Sequence, residues 1–339
     1  MDDRRMQAAA SSNSPPQSRQ LFHSGRTFAL RNPEQWRYNK KMYILTLLWR
    51  FLMIKALGLI YLIWGFNWVI MKEANVFFPP VFFVACRFTL GAGILLLVVL
   101  WRRIPLPPRH CWKWIIITGA LMVAANNAAA QIGMQSLSAG LVAVLNYSMP
   151  IWVAILAHLF LQEKLTRQKI VGILLSMIGL FILMHIDTCG SLPAMLLVLA
   201  GAFSWAIANV LMKRRLQDCD MLQYTAWQLT AGALLLDGCT AFTGIGSVEW
   251  NALSIGCLLY NGVLASALAF FLWSWILAHM EASKASIAVL AVPVVGVLAG
   301  ILILGEAITI HTALGMLLIL TGILLVVRPQ KKSCLAAHK

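Results

Sequence analysis

The chain has 339 residues, 60% hydrophobic and 12% charged, with a formal net charge of +15 and a mean hydropathy of +0.79. Soluble domains carry about 25% charged residues, so this composition excludes an ordinary soluble fold; its repeated apolar runs of about 20 residues predict an all-α membrane protein. In a soluble protein the positive charge would point to nucleic acid, but here it falls between apolar runs, where it reports orientation.

Residues 1–53 are taken as an N-terminal tail expected to be disordered, polar and rich in Ser, Pro, Gln and Arg, without apolar periodicity, up to about residue 41. Within it, Met42 to Phe51 is broken by Arg50, too short to span, and expected to lie along the membrane interface. Ten transmembrane helices are then predicted near residues 56–72, 80–101, 113–134, 139–161, 168–186, 193–212, 220–240, 253–277, 284–304 and 311–327. Lys and Arg collect in the tail, in alternate connections (Arg102, Arg103, Arg109, Lys113; Lys164, Arg167, Lys169; Lys213, Arg214, Arg215; Lys284) and after Arg328, whereas the other side holds only Lys72. The positive-inside rule then predicts a multi-pass protein of the cell membrane with both termini cytoplasmic.

The chain is written twice. Pro150, Leu159, Glu163, Thr166, Gly172, Leu175 and Gly179 match Pro293, Leu302, Glu306, Thr309, Gly315, Leu318 and Gly322, each offset by 143. Trp64, Met71 and Lys72 match Trp205, Met212 and Lys213 at an offset of 141. Each copy holds five spans, and an odd number forces the second copy into the membrane upside down. The expected organisation is two inverted five-helix repeats, residues 54–187 and 193–328, followed by a cytoplasmic tail at 329–339.

The segment Trp64-Gly65-Phe66-Asn67-Trp68-Val69-Ile70-Met71-Lys72 resembles the first-span motif of EamA-type members of the drug/metabolite transporter superfamily. The pattern Ala139, Pro150, Leu161-Gln162-Glu163-Lys164-Leu165-Thr166, Gly172 and Gly179, with its second copy, resembles that family's repeat. The resemblance covers residues 54–328. It implies a ten-helix carrier whose central cavity is lined by the third, fourth, eighth and ninth helices, with the first and sixth contributing. It also implies export or exchange of small metabolites, often amino acids, by alternating access. Gln162 departs from the family, standing where Gly is common and where the second copy has Gly305.

Polar groups at mid-membrane depth are costly unless paired or facing water, so the chemistry is sought there. On the third span these are Asn126, Asn127 and Gln131, readable as substrate contacts or as hydrogen-bonding glue between helices. On the fourth, Asn146, Tyr147 and Ser148 precede Pro150, which removes the backbone donor for the Asn146 carbonyl and kinks the helix. Pro293 is read as a kink that shapes packing. Trp64, Asn67 and Trp68 share a helix face, and Trp205 with Asn209 repeats the spacing. Trp64 and Trp205 either sandwich a substrate ring or cation between them or form a packing wedge. Trp101, Trp112, Trp114, Trp273 and Trp275 are assigned to the interfacial belt.

For gating or coupling, Arg87 either balances a substrate carboxylate or pairs with Asp237, the ion pair being preferred. Asp237 is the candidate proton-coupling acid, and Glu163 and Glu306 are candidate gates or caps at equivalent helix ends. Gly172, Ser176 and Gly179, echoed by Gly315 and Gly322, form a small-residue stripe for close helix packing. No HExxH, GxSxG or P-loop pattern is present, so an enzyme is not expected, and no cofactor or metal is called for. The expected partners are a small-molecule substrate and the lipid bilayer, with no nucleic acid, the protein being a monomer or homodimer. The leading function is a secondary transporter, an exporter or exchanger, of small metabolites with amino acids as the leading class, working by alternating access. A multidrug or cationic-compound exporter of the same fold is the alternative, and a non-transporting scaffold or receptor is the alternative of another class.

Overall fold

The structure is a computed structural model; it describes residues 33–183, 191–304 and 309–327. Glu306, the predicted gate or cap of the second copy, lies outside the described residues, as does most of the polar tail. The chain divides into residues 1–50 and residues 51–339. In the first unit the described part is helical from Pro33, so the stretch after Met42 belongs to a helix; no Pro or Gly follows Pro33 there to interrupt it.

Among the described residues the regular structure of the second unit is entirely helical. Its helices are α1 (Phe51–Phe77), α2 (Pro80–Trp101), α3 (Arg109–Gly133), α4 (Ala139–Leu161), α5 (Arg167–Leu183), α6 (Leu192–Arg215), α7 (Met221–Thr243), α8 (Ala252–His279), α9 (Ala282–Ala288), α10 (Ala291–Leu304) and α11 (Ile310–Val327). Among the described residues six of them, α1 to α4, α6 and α8, are long and apolar enough to cross a membrane. The starts follow from local chemistry. Ser138, Asp220 and Asn251 accept from first-turn N–H groups of α4, α7 and α8, and Pro80 opens α2, where no N–H is needed.

Two helices are interrupted at matching places. α4 breaks at Tyr147–Ser148, before Pro150, and the same break separates α9 from α10 at Val289–Leu290, before Pro293. Two others are locally widened: Gly119–Ala125 in α3 and Tyr260–Leu268 in α8 are π-helical, and their starts are again offset by 141. Such wide turns cluster at functional sites.

Leu97, Leu100, Trp101, Leu234 and Leu317 are exposed, an outward apolar surface suited to lipid. Lipid removes the hydrophobic drive between helices, so packing rests on close approach and on internal hydrogen bonds. α2 packs on α7 and α8, α3 on α6 and α7, α4 on α6, and α5 on α11. At the last contact the pairing is crossed. A Cβ on Gly172 would sit 2.7 Å from the Gly322 carbonyl oxygen, and one on Gly179 would sit 2.7 Å from that of Gly315, so α5 and α11 run antiparallel. Ser176 Oγ donates to the Ile319 carbonyl between them, at 3.3 Å.

Lys72, the exception in the charge count, has a structural task. Its ammonium donates to the carbonyls of Met134 and Leu137 at the end of α3. Lys213 does the same for Leu277, Ala278 and Met280 at the end of α8, at 2.7–3.0 Å. A helix C-terminus leaves carbonyls without intrahelical donors and carries partial negative charge, so a lysine there satisfies both.

Candidate functional site

One cavity brings together most of the polar residues singled out from the sequence. Trp64, Asn67 and Trp68 reach it from α1, Arg87 from α2, and Asn126 and Asn127 from α3. Asn146 and Tyr147 come from the α4 break and Trp205 from α6. Its volume is about 60 Å³, room for a few water molecules. The break before Pro150 delivers Asn146 and Tyr147 here, and Val289 reaches the cavity from the equivalent break before Pro293.

The aromatic wall is tightly set. Trp64 and Trp205 meet edge to face at 5.9 Å, and Phe270 lies 5.9 Å from the first ring and 5.5 Å from the second. No gap remains for a ring or cation between the two tryptophans, so of the two readings of this pair the geometry favours the packing wedge. Trp64 Nε1 donates to the Ala265 carbonyl at 3.2 Å, while Trp205 Nε1 is buried without a partner. Trp68 Nε1 donates to the Tyr147 hydroxyl at 3.0 Å, fixing that ring against α4.

The amide groups are oriented by their surroundings. Asn126 Nδ2 donates to Asn146 Oδ1 at 2.9 Å. Asn127 Nδ2 donates to the carbonyls of Met122 and Val123 in the π-helical stretch, at 2.8 and 3.1 Å. This turns Asn127 Oδ1 toward Arg87, whose Nη2 donates to it at 2.5 Å. Asn261 on α8 behaves alike. Its Nδ2 donates to the Cys257 carbonyl at 3.1 Å and its Oδ1 accepts from Arg87 Nη1 at 2.8 Å.

Several sequence expectations are corrected. The preferred Arg87–Asp237 ion pair does not form; Asp237 instead accepts from Thr89 Oγ1 at 2.9 Å and lies beside Cys86 and Leu97 in a depression away from the cavity. Gln131 and Asn209 do not line the cavity. Gln131 Nε2 donates to the Met71 carbonyl and to Asn75 Oδ1 at 2.8 and 2.6 Å, and Asn209 Oδ1 accepts from Trp273 Nε1 at 3.0 Å. Both are glue between helices. Trp273, assigned to the interfacial belt, is instead 1% exposed and packs against Trp64 and Trp205.

Glu163 is a cap. Its carboxylate accepts from the Ala282 and Ser283 N–H groups at 2.6 and 3.1 Å, and from the Ser283 hydroxyl. Lys169 lies 3.7 Å from it and bridges onward to Glu281 at 2.9 Å and to Ser283 Oγ at 2.7 Å. Glu281 is drawn two ways: burial works against its charge, but Lys284 and Lys169 prevail and hold its carboxyl below the usual range. Just before Glu163, Gln162 sits at φ 57°, the left-handed conformation that favours glycine.

An apolar-surfaced bundle of long helices enclosing a cavity lined by amides, an arginine and aromatic rings defines an integral membrane protein. The EamA-like transporter family matches residues 51–185 and 192–328. The chain is 37% identical over 270 residues to the Bacillus subtilis (strain 168) protein named uncharacterized transporter YoaV, covering 77% of this chain and 92% of that one. It is 28% identical over 278 residues to a Salmonella typhimurium protein named probable amino-acid metabolite efflux pump, covering 78% and 91%. A solved crystal structure superposes with a TM-score of 0.68 at 18% identity, covering 81% of this chain and 96% of that one, a likeness of fold. The chain belongs to the EamA-like transporter family of the drug/metabolite transporter superfamily.

Proposed function

We propose that the protein is a secondary carrier that exports or exchanges small amphipathic metabolites, amino acids first among them, by alternating access. One observation carries this reading. A single cavity takes its polar and aromatic lining from α1 to α4 and from α6 and α8, helices on both sides of the sequence repeat. At about 60 Å³ it must widen to admit an amino acid, which is what rocking of two halves provides.

The inverted repeat is the finer part of the proposal, with repeats 54–187 and 193–328 and α9 with α10 counted as one of ten spans. The crossed pairing of Gly172 with Gly322 and Gly179 with Gly315 supports it, because equivalent helices related by an in-plane twofold axis run antiparallel. The matching lysine caps, helix breaks and π-helical stretches support it too. The charge distribution supports a cytoplasmic location for both termini. The amino-acid preference is supported by the name of the Salmonella relative. Arg87 in the cavity weighs against a cationic-compound exporter, since a cation would meet a like charge.

Counterflow of labelled amino acids into liposomes tests the reading. Exchange is expected for the wild type and a marked loss for Asn127→Leu and Trp64→Ala at equal expression. A scaffold or receptor gives no counterflow with any compound, and that result would refute the carrier.

A further inference from the structure

We propose that Arg87 is the carboxylate-recognition group of the cavity, so that the transported molecule is selected by a carboxylate rather than by an amine. This deepens, and rests on, the carrier reading above. Arg87 is 2% exposed and lines the cavity. A guanidinium is charged at any accessible pH and presents five N–H donors. Asn261 and Asn127 each take one, and Nε has no partner. The two amides hold the fork in place, their oxygens turned to it because their NH2 groups are committed to backbone carbonyls, but a carboxamide is neutral and brings no counter-charge.

Among the described residues no carboxylate lies within ion-pair distance of Arg87. The natural internal candidate, Asp237, is engaged by Thr89 outside the cavity. A buried cation without a counter-charge is among the costliest arrangements in a protein, and an anionic ligand removes that cost. A carboxylate matches the planar fork in geometry as well as in sign.

The other unsatisfied groups complete the pattern. Trp205 Nε1 is a second donor without a partner and Asn67 Oδ1 an acceptor without one, both buried and both on residues that line the same cavity. Two donors for an anion beside one acceptor for an ammonium complement a zwitterion. The anion is the stronger determinant, because only its partner carries charge. The surrounding tryptophan, tyrosine and phenylalanine rings receive an apolar remainder.

The test uses purified full-length protein, thermal shift for binding and counterflow for transport. The ligands are leucine, phenylalanine and threonine, each with its primary amide and its des-amino carboxylic acid. Amino acids and acids are expected to bind and the amides to bind at least tenfold more weakly. Arg87→Gln should weaken the acids on the order of tenfold to a hundredfold, the range for hydrogen bonds to a charged group, and abolish the difference between acid and amide. Asn261→Ala, which leaves the guanidinium but frees its fork, should give a smaller loss confined to the carboxylates, and it serves if Arg87→Gln does not fold. Amides binding as well as acids, or acids binding equally to wild type and variant, would overturn the proposal while leaving the carrier intact. Absence of binding and exchange for these compounds and for a panel of nucleosides, sugars and cationic dyes would overturn both.

Discussion

Glu163→Ala is the most exacting test of how the helix ends are joined. The Glu163 side chain is 11% exposed, and its carboxylate caps two N–H groups and one hydroxyl at the start of α9. Hydrogen bonds to charged groups contribute about 1.5–3 kcal/mol each in favourable settings, and stranded buried donors cost about 1–3 kcal/mol. Part of this is recovered by water at a helix end, so we expect a loss of about 3 kcal/mol for Glu163→Ala. Glu163→Gln keeps one acceptor but turns an NH2 group on the second donor; about half that loss is expected. The assay is equilibrium unfolding in mixed micelles, followed by tryptophan fluorescence. Combining Glu163→Ala with Lys169→Met should be less than additive, because Lys169 faces both Glu163 and Glu281. Stability of Glu163→Ala within about 0.5 kcal/mol of wild type, the scatter of unremarkable surface changes, would refute the capping argument.

Other outcomes follow from the same structure. Gln162→Gly should stabilise the protein by about 1 kcal/mol, since it relieves a left-handed residue at φ 57°; a lower unfolding midpoint would contradict this. Gly179→Ala sets a Cβ 2.7 Å from the Gly315 carbonyl oxygen and should cost about 1–3 kcal/mol by overpacking, measured in the same micelles. Lys72→Met and Lys213→Met each strand carbonyls at a helix end, so each should lower stability by about 1–2 kcal/mol, with additive losses because they act at different helix ends. Glu281, whose carboxyl is held below its usual range, contributes stability above the unfolded carboxylate value that fades as pH falls through the lower folded one. Glu281→Gln should therefore flatten the acid limb of a stability–pH curve.

The frame of the fold was legible in the sequence because lipid makes span length and charge placement explicit. The repeat offset located the Trp64 and Trp205 faces, the breaks before Pro150 and Pro293, and the glycine stripe. What escaped were partners set by packing. Polarity at depth did not distinguish Asn127, which meets the cavity, from Gln131 one turn later, which meets Asn75. Asn261 gave no signal because the equivalent position in the first copy is Ala120. The π-helical stretches have no compositional mark, and Trp273 was misplaced because nearness to a span end does not reveal which way a ring faces.

The Arg87 contacts also set an order of assembly. Chains are made from the amino terminus, and domains tend to form in that order. The Lys72 strap closes over partners 62 and 65 residues away, within the first half, and Asn127 reaches Arg87 from 40 residues on. Asn261 follows Arg87 by 174 residues. The nascent first half therefore holds a guanidinium with one of its two amide partners until the eighth helix is inserted, so the arrival of Asn261 closes the Arg87 clamp while α9 to α11 are still to be added.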